Sequence, residues 1–405
     1  MTTGTMPPRW LRVIFAVVIV ASAASCGEDG DGEVRLRLGT FWDGRAAESL
    51  REEVLHACAG LDVAGVELQI EGLGTLQERL LSDVASDSAD DLDLAVVPND
   101  WLGVLVERNL IGELPASHVE KLRANVVTQA LLAVADGDRL FAYPLNAEAV
   151  ALVYNPRLLP SEPRTLDNIF TAPLPAGVVP FSVDLANLYH LAPMITSYQG
   201  SLTEANGSFA WSAATARALF RSLAPLWRDP VWRSIATASD PASLHVQLFA
   251  EERLASFVAG PWLVATLREV LPSFAVAPVP PFRDSPNPAR SLVGYQSLVV
   301  MRRSPWNDLA HAVALRLLAP DVQLRLAAGT SRLPVVRSAF ADGSSPATPS
   351  PLGFLRAAET GEAMPSSARW GYGFRSAASK WRAALRHSAA DYPPRLLGEL
   401  FGEAL

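Results

Sequence analysis

Apolar positions along the chain fall into short strand patterns, most of them followed by a helical one. The alternation over 34–38 predicts a strand that ends in the turn Gly39-Thr40-Phe41-Trp42-Asp43-Gly44, and a helical period follows to about residue 59. A strand over 66–70 precedes a helix over 76–84. An apolar strand over 92–97 closes at Pro98-Asn99-Asp100-Trp101 and leads into a helix over 101–108. Strands alternating with helices predict a parallel α/β sheet. Ligands of such sheets sit beyond the carboxyl ends of the strands, in the loops that lead into helices. Asp43 and Asp100-Trp101 stand in loops of that kind. Further on, helical periods cover 213–227, 242–252 and 263–270, and 292–318 reads as a strand followed by a helix. Proline-rich stretches over 278–288 and 342–351 read as surface loops. A chain that crosses more than once between two lobes accounts for this order. No fixed-period repeat interrupts it.

The N-terminus has a different character. Arg9 and Arg12 precede an apolar run over 13–20, and Ala21, Ser22, Ala23, Ala24 and Ser25 lead to Cys26. A basic start, a short apolar run and small residues describe an export signal over 1–25. The run is short for a membrane span. The Ala-Ala-Ser-Cys ending resembles a bacterial lipobox, with Ala23 where Leu, Val or Ile is usual, and predicts lipidation at Cys26. Residues 26–33 are glycine and acid after the cysteine, with nothing to bury, and read as a flexible tether. Cleavage as a plain secretory signal is the alternative.

About 370 residues then remain, enough for two lobes. The composition is globular, 49% hydrophobic and 19% charged, with a net charge of −8. Without basic runs, such a chain is a poor match for nucleic acid. Cys58 is the one cysteine besides Cys26, and it shares a helical face with Leu50, Val54 and Leu55, which predicts a core position. The six histidines show no metal-ligand spacing, and no nucleophile elbow or phosphate-binding loop is present, so neither a metal site nor a cofactor is expected.

Several segments together resemble the maltose-type extracellular solute-binding proteins of bacteria, family 1. They are 91–103 with 110–114; Tyr143-Pro144-Leu145-Asn146-Ala147-Glu148-Ala149-Val150-Ala151-Leu152-Val153-Tyr154-Asn155; 249–262, ending Ala259-Gly260-Pro261-Trp262; and Val293-Gly294-Tyr295-Gln296 with Arg332-Leu333-Pro334. Their order and spacing cover most of the chain. Glu252 stands where the family usually has Gly, and the tail after Trp381 diverges. The resemblance implies a two-lobed periplasmic-binding-protein fold, α/β in class. Each lobe would be a mostly parallel sheet flanked by helices, and a hinge would join the lobes around a ligand cleft. It places one lobe at 34–147 plus about 293–338 and the other at 148–292 plus about 339–405.

A sugar has hydroxyls at its ring edge and C–H groups on its faces, so its site needs polar side chains and aromatic rings. Carried over position by position, the resemblance implies ligand contacts at Asp43, Asp100, Trp101, Glu148, Asn187, Tyr189, Trp262, Tyr295 and Phe374. Trp101 replaces an Arg of some members, and Asn187 replaces an acid. Other roles fit some of these residues. Asp43 and Asp100 can cap helices, and Trp262 can pack in a core. Trp211, Trp227, Trp232 and Trp306 lie in helical patterns and read as packing residues.

The implied activity is that of a monomeric binding component, not an enzyme. It would take a neutral oligosaccharide, maltose or maltodextrin first, and hand it to the permease of an ABC importer. The alternatives are a surface carbohydrate-degrading enzyme using paired carboxylates, whose separation a sequence does not reveal, and a solute-binding fold used as a sensor.

Overall fold

The computed structural model describes residues 34–82, 92–227, 229–236, 238, 240–271, 273–340 and 352–387. The export signal, the tether, Cys26 and the proline-rich 342–351 stretch lie outside them.

Strands β1 (Arg35–Thr40), β2 (Gly65–Ile70) and β3 (Leu94–Pro98) form the expected start, with helix α1 (Gly44–Cys58) after β1 and α2 (Leu73–Ser82) after β2. β1 lies between β2 and β3 and is parallel to both. Within α1, Leu50, Val54 and Cys58 are buried, whereas Leu55 is 41% exposed, so the core face is narrower than the sequence pattern suggests. Burial in apolar surroundings pushes the Cys58 thiol up, as expected of a core cysteine.

Beyond a small hairpin, β4 (Ala135–Asp136) with β5 (Arg139–Leu140), the chain runs into β6 (Tyr143–Ala149) and, past Val150 alone, into β7 (Ala151–Tyr154). β6 belongs to the first sheet. β7 lies between β8 (Ser256–Ala259) and β9 (Ala275–Ala277) in a second. The chain returns through β10 (Leu292–Val300), which is antiparallel to both β3 and β6 and buried along its whole length. A last strand, β11 (Glu362–Ala363), pairs parallel with the start of β10, so a piece of the 339–405 segment joins the first sheet.

The fold class is the expected one, α/β with two lobes. The strand directions are more mixed than a mostly parallel sheet in each lobe. β7 is antiparallel to both β8 and β9, and among the described residues parallel pairing there is confined to the bridges Val179–Leu254 and Ser182–Phe257. The cause is the repeated crossing. Strands linked by βαβ units run parallel, while strands that carry the chain between the lobes enter in the opposite sense.

Two glycines dock the C-terminal part on this frame. A Cβ on Gly103 would lie 2.1 Å from the Ala368 nitrogen, and one on Gly371 would lie 2.6 Å from the Asp100 carbonyl oxygen. The Ala368–His387 helix can therefore sit directly on the turn that carries Asp100.

Candidate functional site

Residues that alternate along β6 and β10 fix the floor of the candidate site. Asn146 and Glu148 are two apart on β6, so they project from the same face of the sheet. Their partners on β10 are Gln296 and Gly294. Gly294 leaves room on that face for the Tyr189 hydroxyl, which would lie 3.3 Å from a Cβ there and which donates to the Glu148 carbonyl at 3.0 Å. Both Glu148 carboxylate oxygens have partners within the protein. Gln296 Nε2 donates to Oε1 at 2.7 Å, and Arg332 Nε donates to Oε2 at 2.8 Å. The ion pair is buried on both sides, and the Arg332 guanidinium lies 4.6 Å from the centre of the Trp42 ring.

Tyr189 begins the Leu188–Gln199 helix, and Asn187 caps that helix by accepting from the Tyr189 N–H at 3.1 Å. Its amide oxygen thus holds Tyr189 in place. Tyr189 and Trp262 lie with ring centres 6.4 Å apart, and His190 stacks on Trp262 at 6.0 Å. Burial pushes the Tyr189 hydroxyl well up, with the charges of Glu148 and Asp100 adding to it, so both acids act on that hydroxyl. The structure therefore brings Glu148, Tyr189 and Trp262 together, with Asp100 within electrostatic reach.

Asp100 lies inside the short 3-10 turn Asn99–Trp101 rather than at a cap. Burial pushes its carboxyl up to about 6, and the Arg375 charge pulls the other way. Both Nη atoms of Arg375 are buried and have no hydrogen-bond partner among the described residues. Asn99 ties the turn down, accepting from the Tyr295 N–H at 3.0 Å and donating to the Met364 carbonyl at 2.6 Å. Asp43 occupies the N-cap position of α1 without a side-chain cap bond, so its exposed carboxylate is not used by the helix.

Other expected residues lie elsewhere. Trp101 is buried beside Leu80, Leu81, Val104 and Leu105, against α2 and the Leu102–Glu107 helix, with Arg375 at the edge. Tyr295 is buried one position before Gln296 and projects from the opposite face of β10. Burial raises its hydroxyl to about 12. Phe374 stacks on Trp370 at 4.9 Å and meets Phe209 edge-on at 5.4 Å, one residue from Arg375. Of the tryptophans read as packing residues, Trp232 is fully buried and donates to the Phe181 carbonyl at 2.7 Å.

Trp42, Asn146, Gln296, Arg332 and Arg375 were not singled out by sequence. Four of them stand in segments that carry the resemblance or the first turn. Only the fold reveals that they converge on the two predicted acids. Among the described residues no group of three or more His, Cys, Asp or Glu side chains could hold a metal ion, and no helix is long and apolar enough to cross a membrane.

A family model described as bacterial extracellular solute-binding protein matches residues 60–350. The chain belongs to that family. Its place is extracytoplasmic, and its role is that of a solute-binding component rather than an enzyme. The maltotriose-binding protein of Pyrococcus abyssi is 24% identical to this chain over 334 residues, which is 80% of this chain and 71% of that protein. Among solved structures, the maltose-maltodextrin binding protein of Alicyclobacillus acidocaldarius superposes with a TM-score of 0.76 at 16% identity, covering 91% of this chain and 99% of that one. The Thermus thermophilus maltotriose binding protein, bound with maltotriose, gives 0.74 at 18% identity, covering 91% and 98%. The GacH receptor of Streptomyces glaucescens gives 0.78 at 16% identity, covering 92% and 97%. These likenesses establish the two-lobed fold.

Proposed function

We propose that this solute-binding protein takes a neutral oligosaccharide of the maltodextrin class in the cleft between its lobes and delivers it to the permease of an ABC importer. The observation that carries the reading is the meeting of Glu148, Tyr189 and Trp262, with Asp100 nearby. A hydrogen-bonded polar floor on β6 and β10 lies beside a ring for a sugar face. The names of the relatives support the same ligand class. In this reading the lobes are 34–147 plus about 293–338 and 148–292 plus about 339–405, with Glu148 and Ala149 at the end of β6, and β11, belonging to the first sheet. Asp43 and Asp100 reach the ligand from the first lobe, and Tyr189 and Trp262 reach it from the second. Asn187 positions Tyr189. Trp101, Tyr295 and Phe374 form the packed support around them. The protein works as a monomer anchored through a lipid on Cys26.

Calorimetry with a panel of di- and oligosaccharides tests the proposal. Maltotriose or a longer maltodextrin is expected to bind, and Trp262→Ala is expected to weaken that binding by at least ~1 kcal/mol, the scale of an aromatic contact. Failure of every sugar to bind would remove the ligand class. Unchanged affinity in Trp262→Ala would remove Trp262 from the site. Labelling of the chain by a radioactive fatty acid, lost in Cys26→Ala, tests the anchor.

A further inference from the structure

Around Glu148 the protein buries more polar groups than it satisfies. Asn146 Nδ2 and Oδ1, Gln296 Oε1, Arg332 Nη1 and Trp42 Nε1 are buried and have no hydrogen-bond partner among the described residues. Each belongs to a side chain more than nine-tenths buried. Unpaired buried polar atoms cost stability, and apolar residues at these positions would avoid the cost. Several of them on one face of β6 and β10 indicate a partner that comes from outside the protein.

Glu148 is in the opposite situation. Gln296 and Arg332 occupy its two carboxylate oxygens, and Tyr189 occupies its carbonyl. What its carboxylate does is fix its neighbours. Holding Arg332 by Nε sets the plane of the guanidinium over Trp42 and leaves Nη1 as a directed donor. Holding Gln296 by Nε2 leaves Oε1 as a directed acceptor. Asn146 supplies one of each. A hydroxyl both donates and accepts, so this set of donors and acceptors suits vicinal hydroxyls. The charges of Glu148 and Arg332 cancel, which leaves no net charge to attract a carboxylate or an ammonium group.

We propose that Asn146, Gln296 and Arg332 meet the ligand's hydroxyls, with Trp42 Nε1 at their edge, and that Glu148 is a positioning residue acting through Arg332 and Gln296. The proposal rests on the sugar-binding reading given above.

Calorimetry on the full chain with maltotriose and a set of monodeoxy maltoses tests it. Asn146→Ala and Gln296→Ala are each expected to weaken maltotriose binding by ~10-fold, the scale of a lost buried hydrogen bond. The deoxy sugar that loses the Asn146 contact should bind Asn146→Ala and the unaltered protein about equally, a coupling that general loosening of the fold would not produce. Glu148→Gln should weaken binding alone but have no further effect in an Arg332→Met background. The proposal falls if both alanine variants bind within about twofold of the unaltered protein, since buried waters then serve these atoms. The positioning role falls if Glu148→Gln still costs ~10-fold without Arg332. Should the Glu148 or Arg332 variants not fold, the Asn146 and Gln296 pair decides alone. If the unaltered protein binds no maltodextrin, the sugar reading fails by itself, and the variants are then measured with whichever uncharged polyol raises its melting temperature most. A matching loss there supports the hydroxyl-binding floor, and stabilisation by charged solutes only overturns it.

Discussion

Asp100 illustrates what burying a carboxyl costs the fold that carries it. Its carboxyl is held at about 6 by burial, above the value of about 3.9 expected in the unfolded chain. The folded protein therefore binds more protons than the unfolded one between roughly pH 4 and 6. The contribution of Asp100 to stability therefore falls as pH rises through that window, and the cost persists above it. Asp100→Asn removes the cost. The variant is expected to be more stable at pH 7.5 by on the order of 2–3 kcal/mol, with a smaller gain at pH 5, while its sugar affinity falls. Thermal melts at both pH values check this, and equal or lower stability at pH 7.5 would refute it. Asp100 was legible in the sequence because it sits in a loop after an apolar strand. Arg332 was not. Its partner Glu148 lies 184 positions away, and no local pattern marks an arginine that will be buried over Trp42. Asn146 also escaped notice, because an amide in an apolar strand shows its meaning only once its neighbours are known to leave it unpaired.

At the scale of elements, sequence periodicity found the helices and strands whose apolar faces decide their form. The helix expected over 213–227 is Ala213–Trp227, and that expected over 263–270 is Val264–Val270. The mixed strand directions were not legible, because period-2 alternation is the same in either direction. One departure from the family pattern now has a physical meaning. Glu252 follows the Pro241–Ala250 helix with φ +57°, in the left-handed region where glycine is at home. Arg157 pairs with its carboxylate, and Asn155 Nδ2 lies 3.5 Å from it. An ion pair this exposed is worth little. Glycine at 252 would relieve backbone strain of about 1–2 kcal/mol and add an unfolded-state entropy of about 0.5–1 kcal/mol. Glu252→Gly is thus expected to be neutral or stabilising. Glu251→Gly, next door at φ −77°, pays the entropy without relief and should destabilise by about 0.5–1 kcal/mol. Denaturant melts of the pair check this, and a larger loss at 252 than at 251 would show that the Arg157 contact governs the turn.

Across the whole molecule, acid should act through histidines in both lobes. Burial lowers His190 and His311 to about 4 and His245 to about 3. His245 lies against the Ser182 hydroxyl at 2.8 Å, and His311 lies against the Tyr143 hydroxyl at 2.9 Å. His190 Nδ1 has no partner among the described residues and stacks behind Trp262. In the unfolded chain each histidine titrates near 6.5. Near pH 5 the folded protein keeps these rings neutral while the unfolded chain protonates them, so unfolding takes up about three protons. Asp100 works against this, since unfolding releases up to about one proton from it over the same range. The histidines prevail. From these groups, stability should fall by roughly 2–3 kcal/mol per pH unit near pH 5, begin falling just below pH 6.5, and level off as the folded rings titrate towards pH 4. His190→Phe removes one such ring without breaking a bond at Nδ1, and should make the acid slope shallower by about one proton's worth. Melting curves of the two proteins between pH 4.5 and 7.5 measure that slope. A profile that stays flat or rises on acidification would mean that these histidines are open to water, and with them the packing behind the Trp262 ring.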